Sequence, residues 1–483
     1  METLRIKAII LAAGKGTRFK SEKPKVLHKL LGKPMIFYVK EAVNWIKPEE
    51  VIFIVGHKKE DVIKEINCES CKFAIQEKQL GTGDAVKSSL EYWKDFDGYL
   101  LIINGDTPLI KGQTLKDAVN YLNALINYEG RQINDKNYKN KNIAGLVLTA
   151  KLDNPYGYGR IIKGKAGVID KIIEEKDASP LEKQINEVNS GIYLIYAPFL
   201  KEALGKLTSN NKQNEYYLTD VIEILKNEGK YFYSFDVGDY TQILGVNDRW
   251  ELSKAEKILK TQFLYFWAIN GVTIHNPDTV WIDFDVSLDK DVEIYQGVSL
   301  KGETEVLEGS IIYENCVIIN SKIGRNVKIY PNTVIENSVI KDNAEIGPFA
   351  RIRNNTVIGE NCSIGNFVEV KNSQVGSGTN AKHLTYLGDA EIGKNVNIGA
   401  GTITCNYDGV NKHKTIIKNG AFIGSDTMLV APITIGENAY TGSGSVITRD
   451  VPDNALAVER AKLKILENYA NRKKEKSKEN ESC

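Results

Sequence analysis

Cysteine, histidine and methionine are scarce in this chain: six, five and three among 483 residues. So few cysteines cannot frame a disulfide-rich secreted fold. Cys68 and Cys71 have the spacing of half a zinc site or of a redox pair. No second Cys-x-x-Cys accompanies them, and His28, His57, His275, His383 and His413 are scattered, so the pair is read as incidental, with a local disulfide or a metal clip as the lesser alternative. Long apolar runs are absent too; none approaches the roughly 20 residues of a membrane span. With a net charge of +1, no excess of either sign draws in nucleic acid or a lipid surface. Met1 to Arg5 lead straight into a strand pattern with no room for a signal peptide, and a cytoplasmic location is expected.

What is present begins at the first strand. Ile6 to Leu11 run into Ala12-Ala13-Gly14-Lys15-Gly16-Thr17-Arg18, and Pro24-Lys25-Val26-Leu27 follow. Without side chains at Gly14 and Gly16, backbone N–H groups can close around phosphate oxygens. Lys15, Arg18 and Lys25 add the positive charge a polyphosphate needs. The spacing is that of neither a Walker loop nor a dinucleotide fingerprint.

A length of 483 residues exceeds what one core supports, so about two to four domains are expected. Strand patterns at Ile6 to Leu11, Val51 to Val55, Tyr99 to Ile103, Gly145 to Thr149 and Ile192 to Tyr196 alternate with helical stretches. That predicts an α/β, Rossmann-like domain over residues 1–247, its mostly parallel sheet covered on both faces. Residues 127–142 are polar and read as a mobile surface insertion. Residues 248–271 read as one long linker helix ending at Gly271, about 35 Å of rigid spacer. Asp106, just past a strand in Asn104-Gly105-Asp106, fits a turn carboxylate as well as a magnesium ligand by residue type alone.

From residue 290 the pattern changes. Aliphatic residues recur every six positions through Ile294, Leu300, Val306, Ile312 and Ile318, and again through Ile340, Ile346, Ile352, Ile358 and Ile364. A period of six is the mark of a parallel β-helix, expected over residues 272–465. Glycine often follows the aliphatic residue, as in Ile358-Gly359 and Ile435-Gly436, and is expected to permit the turn. The period breaks at Ala381 to Gly388, which contains His383 and Tyr386. It breaks again at Gly401 to Gly420, where Thr404-Cys405-Asn406-Tyr407-Asp408-Gly409 reads as an extruded polar loop. A histidine there suits a general base near neutral pH, although a lone histidine is more often structural. Residues 471–483 are a Lys/Glu/Ser/Asn mixture, and the tail 466–483 is expected to be disordered.

Three unrelated signatures stand in order: Leu11 to Arg18, Gln79-Leu80-Gly81-Thr82-Gly83, and His383-Leu384-Thr385-Tyr386-Leu387-Gly388-Asp389-Ala390-Glu391-Ile392-Gly393. With Asn395 to Gly409 they make the chain similar, over about residues 6 to 460, to the bifunctional bacterial enzymes that form UDP-N-acetylglucosamine. Those enzymes fuse an N-acetylglucosamine-1-phosphate uridylyltransferase to a glucosamine-1-phosphate N-acetyltransferase. The resemblance implies a left-handed β-helix, a homotrimer with sites between neighbouring prisms, and a role in cell-envelope sugar synthesis. It implies small-molecule substrates, with UTP and acetyl-CoA as co-substrates, Mg²⁺ as cofactor, and neither nucleic-acid nor membrane partners.

For the first activity the resemblance implies catalytic Lys25 and Arg18, and metal ligands Asp106 and Asn247. It places UTP and UDP-N-acetylglucosamine against Leu11, Ala12, Ala13, Gly14, Lys25, Gln76, Gly81, Thr82, Asn104, Asp106, Gly159, Glu174, Asn189 and Asn247. Asn104 departs from the pattern, since the family often carries an aromatic there. For the second activity it implies His383 as general base, and Arg353, Lys371, Tyr386 and Asn397 on the amino-sugar phosphate. Ala400, Asn406, Tyr407, Ser425, Ser443 and Arg460 fall on the acetyl-CoA side. Two rival readings are an enzyme of the first activity alone with a structural solenoid, and an inactive nucleotide-sugar sensor. His383 with the extruded loop argues against the first rival, and retained Lys25, Asp106 and Asn247 against the second.

Overall fold

The structure, a computed structural model, describes residues 4–132, 142–164 and 167–474. The chain forms two compact units, Met1–Gln262 and Phe263–Cys483. The divide falls within a helix, Arg249–Ile269.

In the first unit four parallel strands lie in the order β3-β2-β1-β4: β1 (Ile6–Ala12), β2 (Glu50–Val55), β3 (Lys72–Ile75) and β4 (Tyr99–Asn104). Beyond β4 the sheet turns mixed. Glu187–Tyr196 runs antiparallel to both β4 and Ile143–Lys151, and Tyr231–Asp236 lies parallel to the latter. The parallel strands are aliphatic on both faces because both faces are covered. Ile10, Phe53 and Ile103 enter one core; Ile9, Ile52 and Ile102 enter the other. Their carboxyl ends therefore share one edge of the sheet, which is where ligands gather in such folds. Ala12 to Arg18, Gln76 and Asn104 to Asp106 all follow from that edge.

Two expectations change here. Of the presumed surface insertion, residues 127–132 continue the helix Gly112–Gln132, and 133–141 lie outside the described residues. Cys68 and Cys71, read as incidental, are joined by a disulfide just before β3.

The second unit is a parallel β-helix. Ile294, Ile312, Ile329, Ile346, Ile364, Ala381, Ile398 and Ile423 pair coil on coil in one ladder. All are buried in a single core that runs the length of the prism. The step from Ile398 to Ile423 is longer than the others because the polar loop is extruded between them.

Of the glycines after the aliphatic residues, Gly347, at φ 100°, meets the expectation of a turn residue, but others serve a different purpose. Gly359, Gly365 and Gly436 do not adopt positive φ, but a Cβ there would lie 2.6, 2.0 and 2.4 Å from backbone of the next coil. They are needed for close stacking. The left-handed corner residues are largely asparagines, such as Asn315, Asn326, Asn332 and Asn343. Of the tail expected to be disordered, residues 469–474 are helical and 475–483 lie outside the described residues.

Candidate active sites

In the first unit a cavity of about 430 Å³ opens at the carboxyl edge of the parallel strands. Leu11, Arg18, Thr82, Asn104, Asp106, Gly159, Glu174, Asn189 and Asn247 line it. Lys25 joins them by donating its ammonium to Asp106. Gly16, at φ 60°, makes room for that side chain, since a Cβ there would lie 2.7 Å from Lys25 Cβ. Asn247 stands at the entrance to the helix Arg249–Ile269. Asp248 caps that helix, its Oδ1 accepting from the N–H of Trp250 and of Glu251 at 2.9 and 2.8 Å. The N–H of Val246 donates to the carbonyl of Asp106 at 2.9 Å, tying the two candidate ligands together. Asn247 Oδ1 accepts from Arg18 at 3.0 Å and from Lys25 at 3.4 Å.

Farther along the wall, Glu174 accepts from Thr219 Oγ1 at 3.2 Å. Burial pushes its carboxyl pKa up, and the nearby carboxylates Asp220, Asp177 and Glu215 push the same way. Asn189 Nδ2 donates to the Tyr193 hydroxyl at 2.7 Å. Gln76 is buried and donates to Asp84 at 2.8 Å and to the Gly81 carbonyl at 3.1 Å, which orients the Gly81-Thr82 turn. Ala12 and Ala13 are buried, whereas Gly14 is exposed with open space around its Cα. Arg160, beside Gly159, is withdrawn into an ion pair with Glu175 at 2.7 Å.

In the second unit His383 is exposed and its Nδ1 lies 3.1 Å from Asn366 Oδ1, one coil below. An amide oxygen there accepts the Nδ1 proton and leaves the Nε2 lone pair outward. The same coil position then repeats. Gly401 N–H donates to the Leu384 carbonyl, Asp426 N–H to Ala400, and Gly444 N–H to Ser425, at 2.9, 2.6 and 2.8 Å. Asn366, His383, Ala400, Ser425 and Ser443 consequently stand in one row along a prism edge. Arg353 and Lys371 are register partners on another row, and Glu369 pairs with Tyr386 in the adjoining column. Arg353 is held by Glu369 at 2.7 Å. Asn397 pairs with Asn380. Arg460 is exposed beyond the last strand, Leu456–Ala457.

The extruded loop borders a second cavity, of about 420 Å³, lined by Lys371, Asn372, Asp389 and Lys412 among others. Asn406 is buried and donates to Asp389 at 2.5 Å, while Tyr407 is exposed. The adjacent Lys371 ammonium holds the Lys412 pKa below the usual lysine value. Two cations and one carboxylate, Asp389, thus line this cavity, leaving a net positive charge that suits an anion.

Residues 7–283 match the nucleotidyl transferase family, 334–410 the GMPPB C-terminal domain, and 414–449 the bacterial transferase hexapeptide (six repeats) family. The chain is 48% identical to the Bifunctional protein GlmU of Aquifex aeolicus, over 98% of this chain and 100% of that protein. It belongs to the GlmU family. With the GlmU of Streptococcus mutans it shares 45% identity over 96% of this chain and 98% of that one. The figures for Hydrogenobaculum are 44%, 97% and 100%. The chain is a bifunctional transferase.

Three further residues stand among these candidate groups without having been expected there. Glu251 lines the first cavity and accepts from the Asn247 N–H at 2.6 Å. It lies one helical turn past Asn247, a spacing that could have exposed it. Asn366 precedes His383 by 17 residues, one coil of the solenoid, so the repeat itself held the signal. Lys412 had no such signal, because the loop's shape alone brings it to Lys371.

Proposed function

We propose that the second unit transfers the acetyl group of acetyl-CoA to glucosamine 1-phosphate, and that the first joins the product to UTP. The observation that supports both activities in one chain is the coil row Asn366, His383, Ala400, Ser425 and Ser443. A solenoid used only for assembly needs no hydrogen-bonded histidine on its edge beside an extruded polar loop.

For uridylyl transfer, an oxygen of the sugar phosphate attacks the α-phosphorus of UTP and pyrophosphate departs. Both reactants are anions, so positioning and charge neutralisation carry the catalysis. Arg18 and Lys25 sit where the phosphates would converge. Gly81-Thr82 and Gln76 lie on the base side, and Gly159, Glu174 and Asn189 on the sugar side. The Asp106 carboxylate and Asn247 amide oxygen are the donor types Mg²⁺ takes, and it commonly needs only one or two protein oxygens beside substrate phosphates. Bound there, Mg²⁺ would supply further neutralisation of phosphate charge.

For acetyl transfer, the sugar nitrogen attacks as the neutral amine, since the ammonium has no lone pair, and it must shed a proton as the amide forms. His383 Nε2 takes that proton as the C–N bond forms and the C–S bond breaks, and the CoA thiolate then gains a proton. Lys371, Arg353, Tyr386 and Asn397 bind the sugar phosphate; Ala400, Asn406, Tyr407, Ser425, Ser443 and Arg460 bind acetyl-CoA. The working assembly is a homotrimer. Phe349, Phe367 and Leu384, exposed at 50, 56 and 65%, form an apolar edge beside His383 that neighbouring prisms would cover. No helix among the described residues is long and apolar enough to cross a membrane.

The test supplies glucosamine 1-phosphate, acetyl-CoA, UTP and Mg²⁺ to the full chain and measures CoA and pyrophosphate separately. CoA release alone, pyrophosphate release alone, or neither would overturn the two-step reading.

A further inference from the structure

The loop extruded from the solenoid has no apolar core of its own: Tyr407 and Val410 are exposed at 61 and 82%. Its shape must therefore come from polar contacts. At its base the N–H of His413 donates to the Asn406 carbonyl at 2.8 Å, and above that Tyr407 and Lys412 form an antiparallel bridge. At the tip Asp408 Oδ1 accepts from the N–H groups of Val410 and Asn411, at 2.7 and 2.6 Å. The other carboxylate oxygen, Oδ2, lies 2.7 Å from His413 Nε2. One carboxylate thus joins the tip of the loop to its stem. Those backbone N–H bonds and the imidazole hold the Asp408 pKa far below the ordinary carboxylate range.

What the clamp holds in place is Lys412, the residue immediately before His413. Lys412 lines one cavity with Lys371 and the Asp389 carboxylate, and there the like charge of Lys371 opposes its placement more than Asp389 favours it. Lys412 is exposed, so a freely moving loop would let it drift away from Lys371.

We propose that the Asp408–His413 pair is a positioning device for acetyl transfer. It keeps Lys412 opposite Lys371, so that the phosphate of the amino-sugar substrate meets two preplaced cations. Asp408 and His413 touch neither substrate, and they act through Lys412. This inference rests on the reading that Lys371 faces the sugar phosphate, and it adds Lys412 and its clamp to that site.

The test compares full-length wild type with His413→Phe and His413→Gln. Phenylalanine keeps a planar ring and removes the donor; glutamine restores a donor at similar reach. His413→Phe should raise KM for glucosamine 1-phosphate about three- to tenfold, as expected for one partly exposed charge-assisted contact. Its kcat at saturating sugar phosphate, its uridylyl transfer and its thermal midpoint should stay at wild-type values. His413→Gln should recover most of the affinity, and Lys412→Ala should reproduce or exceed the loss. An unchanged sugar-phosphate KM in His413→Phe would overturn the proposal, as would a fall in kcat alone or a loss that glutamine does not rescue. Lys371→Ala separates the underlying reading: if it leaves KM unchanged while Lys412→Ala raises it, the Lys371 assignment fails and the clamp stands.

Discussion

Lys25 donates its ammonium to the carboxylate of Asp106, joining a candidate phosphate-binding cation to a candidate metal ligand. Both side chains are largely withdrawn from solvent. The pair balances its own charge in a cavity that must admit two anionic substrates. A magnesium ion held by Asp106 would compete with Lys25 for that carboxylate, and substrate phosphates would then offer the ammonium another partner.

Asp106→Ala is expected to lower uridylyl transfer roughly a hundredfold or more, since a ligated metal supplies several kcal/mol of charge stabilisation. CoA release should be unchanged. Pyrophosphate release measured at saturating Mg²⁺ checks this, and a near-normal rate would remove Asp106 from the ligand set.

His383→Ala should lower CoA release about 10²–10⁴-fold, the usual loss of a general base. Asn366→Ala, which leaves the ring but frees Nδ1, should cost less and act on kcat more than on KM. Rates across pH 5 to 9 in all three proteins check the assignment. A His383→Ala variant that assembles and retains the wild-type rate would return the residue to a structural role.

Burial, then the nearby Glu223 and Asp177 carboxylates, raise the Asp220 pKa from 3.8 to about 6. The folded protein thus holds that proton more tightly than the unfolded chain. Its contribution is present below the unfolded value and is lost as pH rises through the folded one. Asp220→Asn should therefore raise the thermal midpoint at pH 7 to 8, and the gain should vanish near pH 4. A variant equally or less stable than wild type at pH 8 would contradict this.

Gly365→Ala places a Cβ 2.0 Å from the Lys382 carbonyl, in the coil that carries His383. Because the obstacle is backbone, relief requires separating two coils, at a cost of about 1–3 kcal/mol. Gly205→Ala meets only the Glu202 carbonyl, at 3.4 Å, and should be close to neutral. Urea unfolding of both variants decides the comparison.

Much of the fold was readable because its signals are local. The aliphatic period of six reflects side chains entering one core at each flat face, and the run from Asp248 to Gly271 carries its own cap and stop. The role of Gly359 and Gly436 was not readable, since the constraint on them lies in the next coil. The disulfide between Cys68 and Cys71 was likewise undecided by spacing, which serves a metal clip as well as a bond.

The sequence by itself determined which chemistry the chain carries: a cationic small-residue turn after a strand, a carboxylate after another, and a histidine where a solenoid loses its period. Each is written in neighbouring residues. Only the tertiary structure decided which groups meet. Arg18 bonds to Asn247 across 229 positions because β1 opens onto the edge reached by the entrance to the long helix. Asn366 meets His383 because coil stacking converts 17 residues of chain into one strand spacing. Lys412 meets Lys371 because a carboxylate and an imidazole close the loop between coils. Such meetings depend on register and closure, which residue types alone leave open.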